Sequence, residues 1–192
     1  MQNIGKHRYM NIGKWLLATI IFIGCTMVTI SGNAQARVTA SFDKTWKFNK
    51  GDTQGAEQPS FDDKEWRSVD VPHDWSIEGP YDQKNPTGRG GGYLPAGIGW
   101  YRKTFTVNEG EKQKLHFIEF DGVMANSDVW INGNNLGKRP YGYSSFSYEL
   151  SKFLNYGKDK VNVIAVRADN SVNRLPGIIQ VPAFIAMCGW WL

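Results

Sequence analysis

An all-β sandwich is the fold class that this 192-residue sequence predicts, and three observations carry it. Short segments rich in β-branched and aromatic residues recur along the chain, separated by turn-forming residues. In the clearest of them side chains alternate with period two, as in a half-buried antiparallel strand. No segment sustains the 3.6-residue period of a long amphipathic helix.

TWKFN (45–49) is the first candidate strand and GWYRKTFTV (99–107) the second. In the latter Tyr101, Lys103, Phe105 and Val107 share one face, while Arg102, Thr104 and Thr106 share the other. KLHFIEFDG (114–122) and SDVWING (127–133) follow, and Asn132-Gly133 is the strongest hairpin signal in the chain because both residues tolerate positive φ. NLGKR (135–139) and FSYEL (146–150) come next, and SYELSKFL has room for one helical turn. KVNVIAVRAD (160–169) carries apolar residues on both faces, as a central strand does. The glycine-rich stretch PTGRGGGYLPAGIG (86–99) neither follows an apolar strand nor opens a helix; it reads as a surface loop, not a phosphate cradle.

Residues 1–36 stand apart. A basic start with Lys6, Arg8 and Lys14, an apolar run over 15–30 and the small-x-small pattern Ala34-Gln35-Ala36 predict a secretory signal cleaved after Ala36. The run is shorter than the roughly 20 residues of a spanning helix, so no membrane span is expected in the mature chain. FIGC (22–25) also resembles a lipoprotein cleavage box, which would make Cys25 a lipidated first residue; the run continuing to Ile30 favours the soluble exported product.

All 18 acidic residues lie between Arg37 and Ser171, together with all Lys and Arg except Lys6, Arg8, Lys14 and Arg174. The body is therefore neutral, and the formal charge of +4 gives no reason to expect nucleic acid. Cys25 and Cys188 both fall outside it, which excludes a disulfide framework, a thiolate zinc site or a thiol nucleophile there. His73 and His116 are the body's only histidines, and nothing in the local sequence builds a triad around either. Asp62-Asp63 is the tempting carboxylate pair, but in SFDDKEW an Asp commonly fixes a turn through its own backbone. His73-Asp74-Trp75, after Pro72, reads as a corner locked by hydrogen bonds and packing. Of the body's aromatic residues most belong in a core; a sugar site needs at least one left exposed beside carboxylate or amide groups, and Tyr141 and Tyr143 are among the tyrosines available.

SFDDKEWRSVDVPHDWS (60–76), GWYRKTF (99–105), FDGVMANSDVWINGNNLGKRPYGYSSFSYELSKFLNYG (120–157) and NVIAVRADNS (162–171) resemble, in order, the N-terminal domain of glycoside hydrolase family 2, particularly the β-galactosidases of Bacteroides-type bacteria. The resemblance implies a jelly-roll β-sandwich of the galactose-binding type over 37–171, with an immunoglobulin-like domain and a catalytic (β/α)8 barrel as its partners in a complete enzyme acting on β-galactosides. It also implies that the two catalytic carboxylates sit on the barrel, so no catalytic residue is expected in this chain, and that any magnesium or sodium dependence belongs to the barrel as well. β-Glucuronidase and β-mannosidase relatives remain open.

By the same resemblance Asp169, in the R-x-D-N-S block, reaches the barrel mouth and accepts hydrogen bonds from substrate hydroxyls, a task that suits an ionised carboxylate; Asn170 is a weaker candidate beside it. Some family members also touch sugar with an Asn-Pro-Thr placed before the strand that opens here at Gly99. This chain has Ala96-Gly97-Ile98 at that place, and Asn85-Pro86-Thr87 lies 11 residues earlier, so that contact is not carried over.

After Ser171 the resemblance stops. Regrouping degenerate codons of 172–190 by one base allows most of the family's continuation, including Tyr-Ser-Gly-Ser-Gly-Ile-Tyr-Arg. Residues 172–192 are accordingly expected to be out-of-frame translation, with no strand pattern around Cys188, Trp190 and Trp191 and an apolar liability to aggregation. Two functional classes follow: the N-terminal piece of an exported β-galactosidase, inactive alone, or a free carbohydrate-binding or interaction module.

Overall fold

The computed structural model describes residues 37–171 in full and the backbone of 184–191. The expected signal over 1–36, with Cys25, lies outside the described residues, as do positions 172–183.

Two antiparallel sheets face each other. Among the described residues eleven strands run in chain order: β1 Thr39–Ala40, β2 Trp46–Lys50, β3 Arg67–Val69, β4 His73–Asp74, β5 Ile98–Thr106, β6 Phe117–Val123, β7 Ser127–Ile131, β8 Asn134–Arg139, β9 Phe146–Glu149, β10 Val161–Asp169 and β11 Phe184–Trp191. One sheet has the order β3-β2-β5-β10-β7-β8; the other runs β1-β11-β6-β9, with β4 also pairing β11. All seven predicted strands are present. β10 is central, between β5 and β7, and its burial from Asn162 to Val166 accounts for a sequence apolar on both faces.

Local chemistry explains the turns. Asn132 and Gly133 take φ of 50° and 80°, the paired left-handed values that a two-residue hairpin requires, and they join β7 to β8. Ser151–Phe153 makes the single helical turn expected after β9. The core between the sheets is built from Trp46, Phe48, Tyr101, Ile118, Phe120, Val129, Ile131, Ile164 and Val166. Fully buried side chains of this size contribute about 1.5–3 kcal/mol each.

Two expectations need correcting. The polar-looking face of β5 is solvated at Thr104 and Thr106 but covered at Arg102, which is only 1% exposed. The 52–63 segment lies over it, and Arg102 donates Nε to Asp63 Oδ2 at 2.8 Å and its terminal nitrogens to the carbonyls of Ala56, Gln58 and Phe61. Nor is the end of the chain without strand structure. β11 pairs β6, β1 and β4, although its register against β6 slips between Ala186 and Met187 and again between Met187 and Trp190. Ladder hydrogen bonds need only backbone N–H and C=O groups, so a segment without period-two patterning can still pair, and irregular register is the expected mark of one. Paired on both sides, this backbone is not an open edge.

Candidate functional site

The C-terminal end of β10 sets the site. Asp169 pairs with Ile98, the first residue of β5, so the strand delivers its carboxylate to the rim where the 94–97 segment enters the sheet. Asp169 N donates to Ala125 O at 2.8 Å, and Asn126 Nδ2 donates to Asp169 O at 3.1 Å. The β6–β7 connection thus clamps the backbone on which the carboxylate stands. Oδ1 accepts from Ser171 N at 2.9 Å, closing a local turn, and Oδ2 lies 3.4 Å from Arg167 Nη1. An ionised carboxylate offers about four acceptor positions; with its side chain 24% exposed, Asp169 keeps acceptor capacity for a ligand's hydroxyls.

Asn170 is wired differently. Its Oδ1 accepts from Gly97 N at 2.8 Å, its backbone N donates to Gly97 O at 3.0 Å, and its Nδ2 lies 3.4 Å from Ser76 Oγ. Both amide atoms hold protein, and the residue ties three segments into one rim. Arg167 extends the arrangement by forking onto Asp52 at 3.0 and 3.1 Å, where Trp100 Nε1 also donates at 3.2 Å.

Aromatic residues divide as a sandwich demands. Trp46, Trp75 and Trp100 are buried and Trp66 and Trp130 partly so, whereas Tyr141 and Tyr143 are 64% and 54% exposed. Their ring centroids lie 5.6 Å apart on the β8–β9 connection. That connection touches the Asp169 rim, because Asn126 N donates to Pro140 O at 3.2 Å.

The remaining candidates have structural partners. Asp62 Oδ1 accepts from Lys64 N at 3.2 Å, making the expected turn, and Asp63 is held by Arg102. His73 Nδ1 is 2.8 Å from the Tyr101 hydroxyl, while Nε2 lies 2.9 Å from Arg67 Nη2 and 3.1 Å from Glu78 Oε1, so this corner is a bonded lock and carries no nucleophile other than a tyrosine whose hydroxyl is held protonated by burial. His116 is buried beside Tyr156, and desolvation pushes it toward the neutral form. Asn85 Nδ2 donates to Pro80 O and Tyr93 O, and Thr87 Oγ1 to Leu94 O, so the displaced Asn-Pro-Thr closes the neck of its own glycine-rich loop. Among the described residues no group of three or more His, Cys, Asp or Glu side chains is arranged to hold a metal ion.

Ion pairs at this rim give the fold a pH dependence. The Arg167 hydrogen bond holds the Asp52 carboxyl below its usual range, and that from Arg67 does the same for Glu78. A carboxylate depressed in the folded state stabilises it above the unfolded value, about 3.9 for Asp and 4.3 for Glu, and the contribution is lost as pH falls through the lower folded value. Urea unfolding is therefore expected to need less denaturant near pH 3 than near pH 6. Asp52→Asn should flatten that acid-side loss; an unaltered pH profile would exclude Asp52 from it.

Asn126 is the positioning residue that the sequence did not single out; it is 43 residues from Asp169, with no shared motif to connect them.

Comparison with known proteins agrees with the sandwich fold. The family described as "Glycosyl hydrolases family 2, sugar binding domain" matches residues 39–175. Beta-galactosidase BoGH2A of Bacteroides ovatus is 48% identical over 174 residues, covering 88% of this chain and 20% of that protein. A beta-glucuronidase of Formosa agariphila is 33% identical over 135 residues, covering 70% and 14%. Among solved structures, a beta-glycosidase from Bacteroides vulgatus superposes with a TM-score of 0.74 at 47% identity, covering 81% of this chain and 20% of that one. The chain thus spans a fifth or less of the length of these relatives.

Proposed function

The chain belongs to glycosyl hydrolases family 2 through its sugar-binding domain, and from that premise we propose that it forms one wall of the β-galactoside site of an exported family 2 enzyme. Asp169 is the residue that meets the sugar. The observation that carries this reading is the partly exposed carboxylate at the end of β10, fixed at its backbone by Asn126 and Ala125 yet only half engaged at its oxygens. Two adjacent sugar hydroxyls donating to one carboxylate give both affinity and orientation. Asn170 supports the site chiefly by holding Gly97 and Ser76 in place.

Bond cleavage is assigned to the rest of such an enzyme, and the chain by itself is expected to be inactive. Retaining glycosidases need two carboxyl groups about 5 Å apart around the scissile bond, and the adjacent pair Asp62 and Asp63 is committed to a turn and to Arg102. Galactoside over glucuronide follows the galactosidase relative at 48% identity, a narrow margin over the 45% of a putative beta-glucuronidase of Formosa agariphila. Residues 172–192 are read as out-of-frame translation from their codons alone, and sequencing the gene through and beyond codon 192 tests it.

Titrating the full chain with methyl β-galactoside by heteronuclear NMR tests the site. Saturable shifts are expected around Asp169, and Asp169→Asn, which exchanges an acceptor oxygen for a donor, should weaken binding by at least about tenfold, since hydrogen bonds to charged groups are worth about 1.5–3 kcal/mol. Equal affinity in the variant, or no saturation at tens of millimolar, would remove Asp169 from the role.

A further inference from the structure

We infer that Tyr141 and Tyr143 form a stacking platform for a second sugar unit, so that the site takes galactosyl disaccharides and longer chains in preference to free galactose. The inference rests on the reading of Asp169 as the sugar-binding carboxylate. Two large rings stand more than half exposed within 5.6 Å of each other on a short connection, in a domain that buries most of its other aromatic surface.

Asn126 links the pair to the rim. Asn126 binds the Asp169 carbonyl through its side chain and the Pro140 carbonyl through its backbone, and Pro140 immediately precedes Tyr141. The platform is also held firmly from beneath. Gly142, between the tyrosines, packs so closely on Met124 that a β-carbon there would lie 2.7 Å from its Sδ and 2.8 Å from its Cα. A sugar ring offers apolar C–H faces and a girdle of hydroxyls, and small-ligand sites answer such groups with aromatic surface and a few placed polar atoms. Through Asn126 the end of β10 and the β8–β9 connection share one rim, which offers a carboxylate for the hydroxyls of one sugar unit and aromatic faces for the next.

The experiment compares galactose with β-1,4-galactobiose on the full chain by NMR, using Tyr141→Ala/Tyr143→Ala, the corresponding double Phe variant, and Asp169→Asn. The disaccharide is expected to bind at least about fivefold more tightly than galactose, an advantage of the size that aromatic contacts supply. It should vanish in the double Ala variant, survive in the double Phe variant, and leave galactose affinity unchanged in both. No disaccharide advantage, or one that persists without the rings, overturns the platform while leaving Asp169 in place. Failure of both sugars to bind, or galactose binding indifferent to Asp169→Asn, defeats the underlying reading and the platform with it. A double Ala variant that alters oligomeric state and not sugar affinity assigns the rings to a protein contact and also overturns the proposal.

Discussion

Replacing Arg102 with alanine is expected to lower the unfolding free energy by about 3–5 kcal/mol, the cost of breaking a buried ion pair by removing one partner. The side chain is 1% exposed, and its guanidinium bonds Asp63, itself 19% exposed, along with the carbonyls of Ala56, Gln58 and Phe61. Alanine leaves that carboxylate and the carbonyls of Ala56 and Phe61 facing a void where the guanidinium had been, while Gln58 O keeps its bond from Phe61 N. Against a typical total of about 5–15 kcal/mol, the domain keeps little reserve. Lysine cannot substitute, since one ammonium lacks the planar fork that reaches several acceptors. Urea denaturation checks the size of the loss, and hydrogen exchange checks its location: the 52–63 segment should lose protection before β10. The double variant Arg102→Met/Asp63→Leu removes both charges and should recover much of the loss. A single variant that melts like the parent would mean that water already satisfies these groups.

Arg102 also shows where the sequence stops speaking. Period two along β5 correctly gave a strand, but it assigned Arg102 to an open face because periodicity reports alternation and not what covers either side. The covering segment, 52–63, has no regular pattern and is held in place by Arg102 beneath it and, at Asp52, by Arg167 and Trp100. Strands long enough to show alternation or an Asn-Gly turn were legible, while β1, β3 and β4, of two or three residues, are too short to carry a period. The site divides similarly. Arg167, Asp169, Asn170 and Ser171 form a contiguous block whose resemblance exposed it; their partners Asp52, Gly97 and Asn126 are brought in from 43 to 115 residues away by sheet pairing. Chemistry concentrated in one stretch can be read directly, and chemistry assembled from strand ends needs the fold.

Asn162→Leu is the second large effect, expected at about 3 kcal/mol, because three part-buried hydrogen bonds are lost at once and each is worth about 1 kcal/mol. Asn162 is completely buried at the start of β10. Its Oδ1 accepts from Asn155 N at 2.7 Å and Asn132 Nδ2 at 2.8 Å, and its Nδ2 donates to Asn155 O at 2.9 Å. Asn132 returns the favour by accepting from Val163 N at 2.9 Å while its backbone makes the hairpin turn, so one amide pair fastens the β7–β8 turn, β10 and the segment after the helical turn. Leucine matches the volume but leaves Asn155 N and O without the buried amide that held them. This network lies seven residues from Asp169 along β10, roughly 23 Å at strand spacing. Its loss should therefore lower the melting transition without changing sugar affinity at temperatures where the variant remains folded, the reverse of Asp169→Asn, which should weaken binding and leave the transition near its original temperature. Paired melting and titration of the two variants read this out; if Asn162→Leu weakened binding in the folded state as strongly as Asp169→Asn, the two ends of β10 would be coupled and the site would extend through the strand.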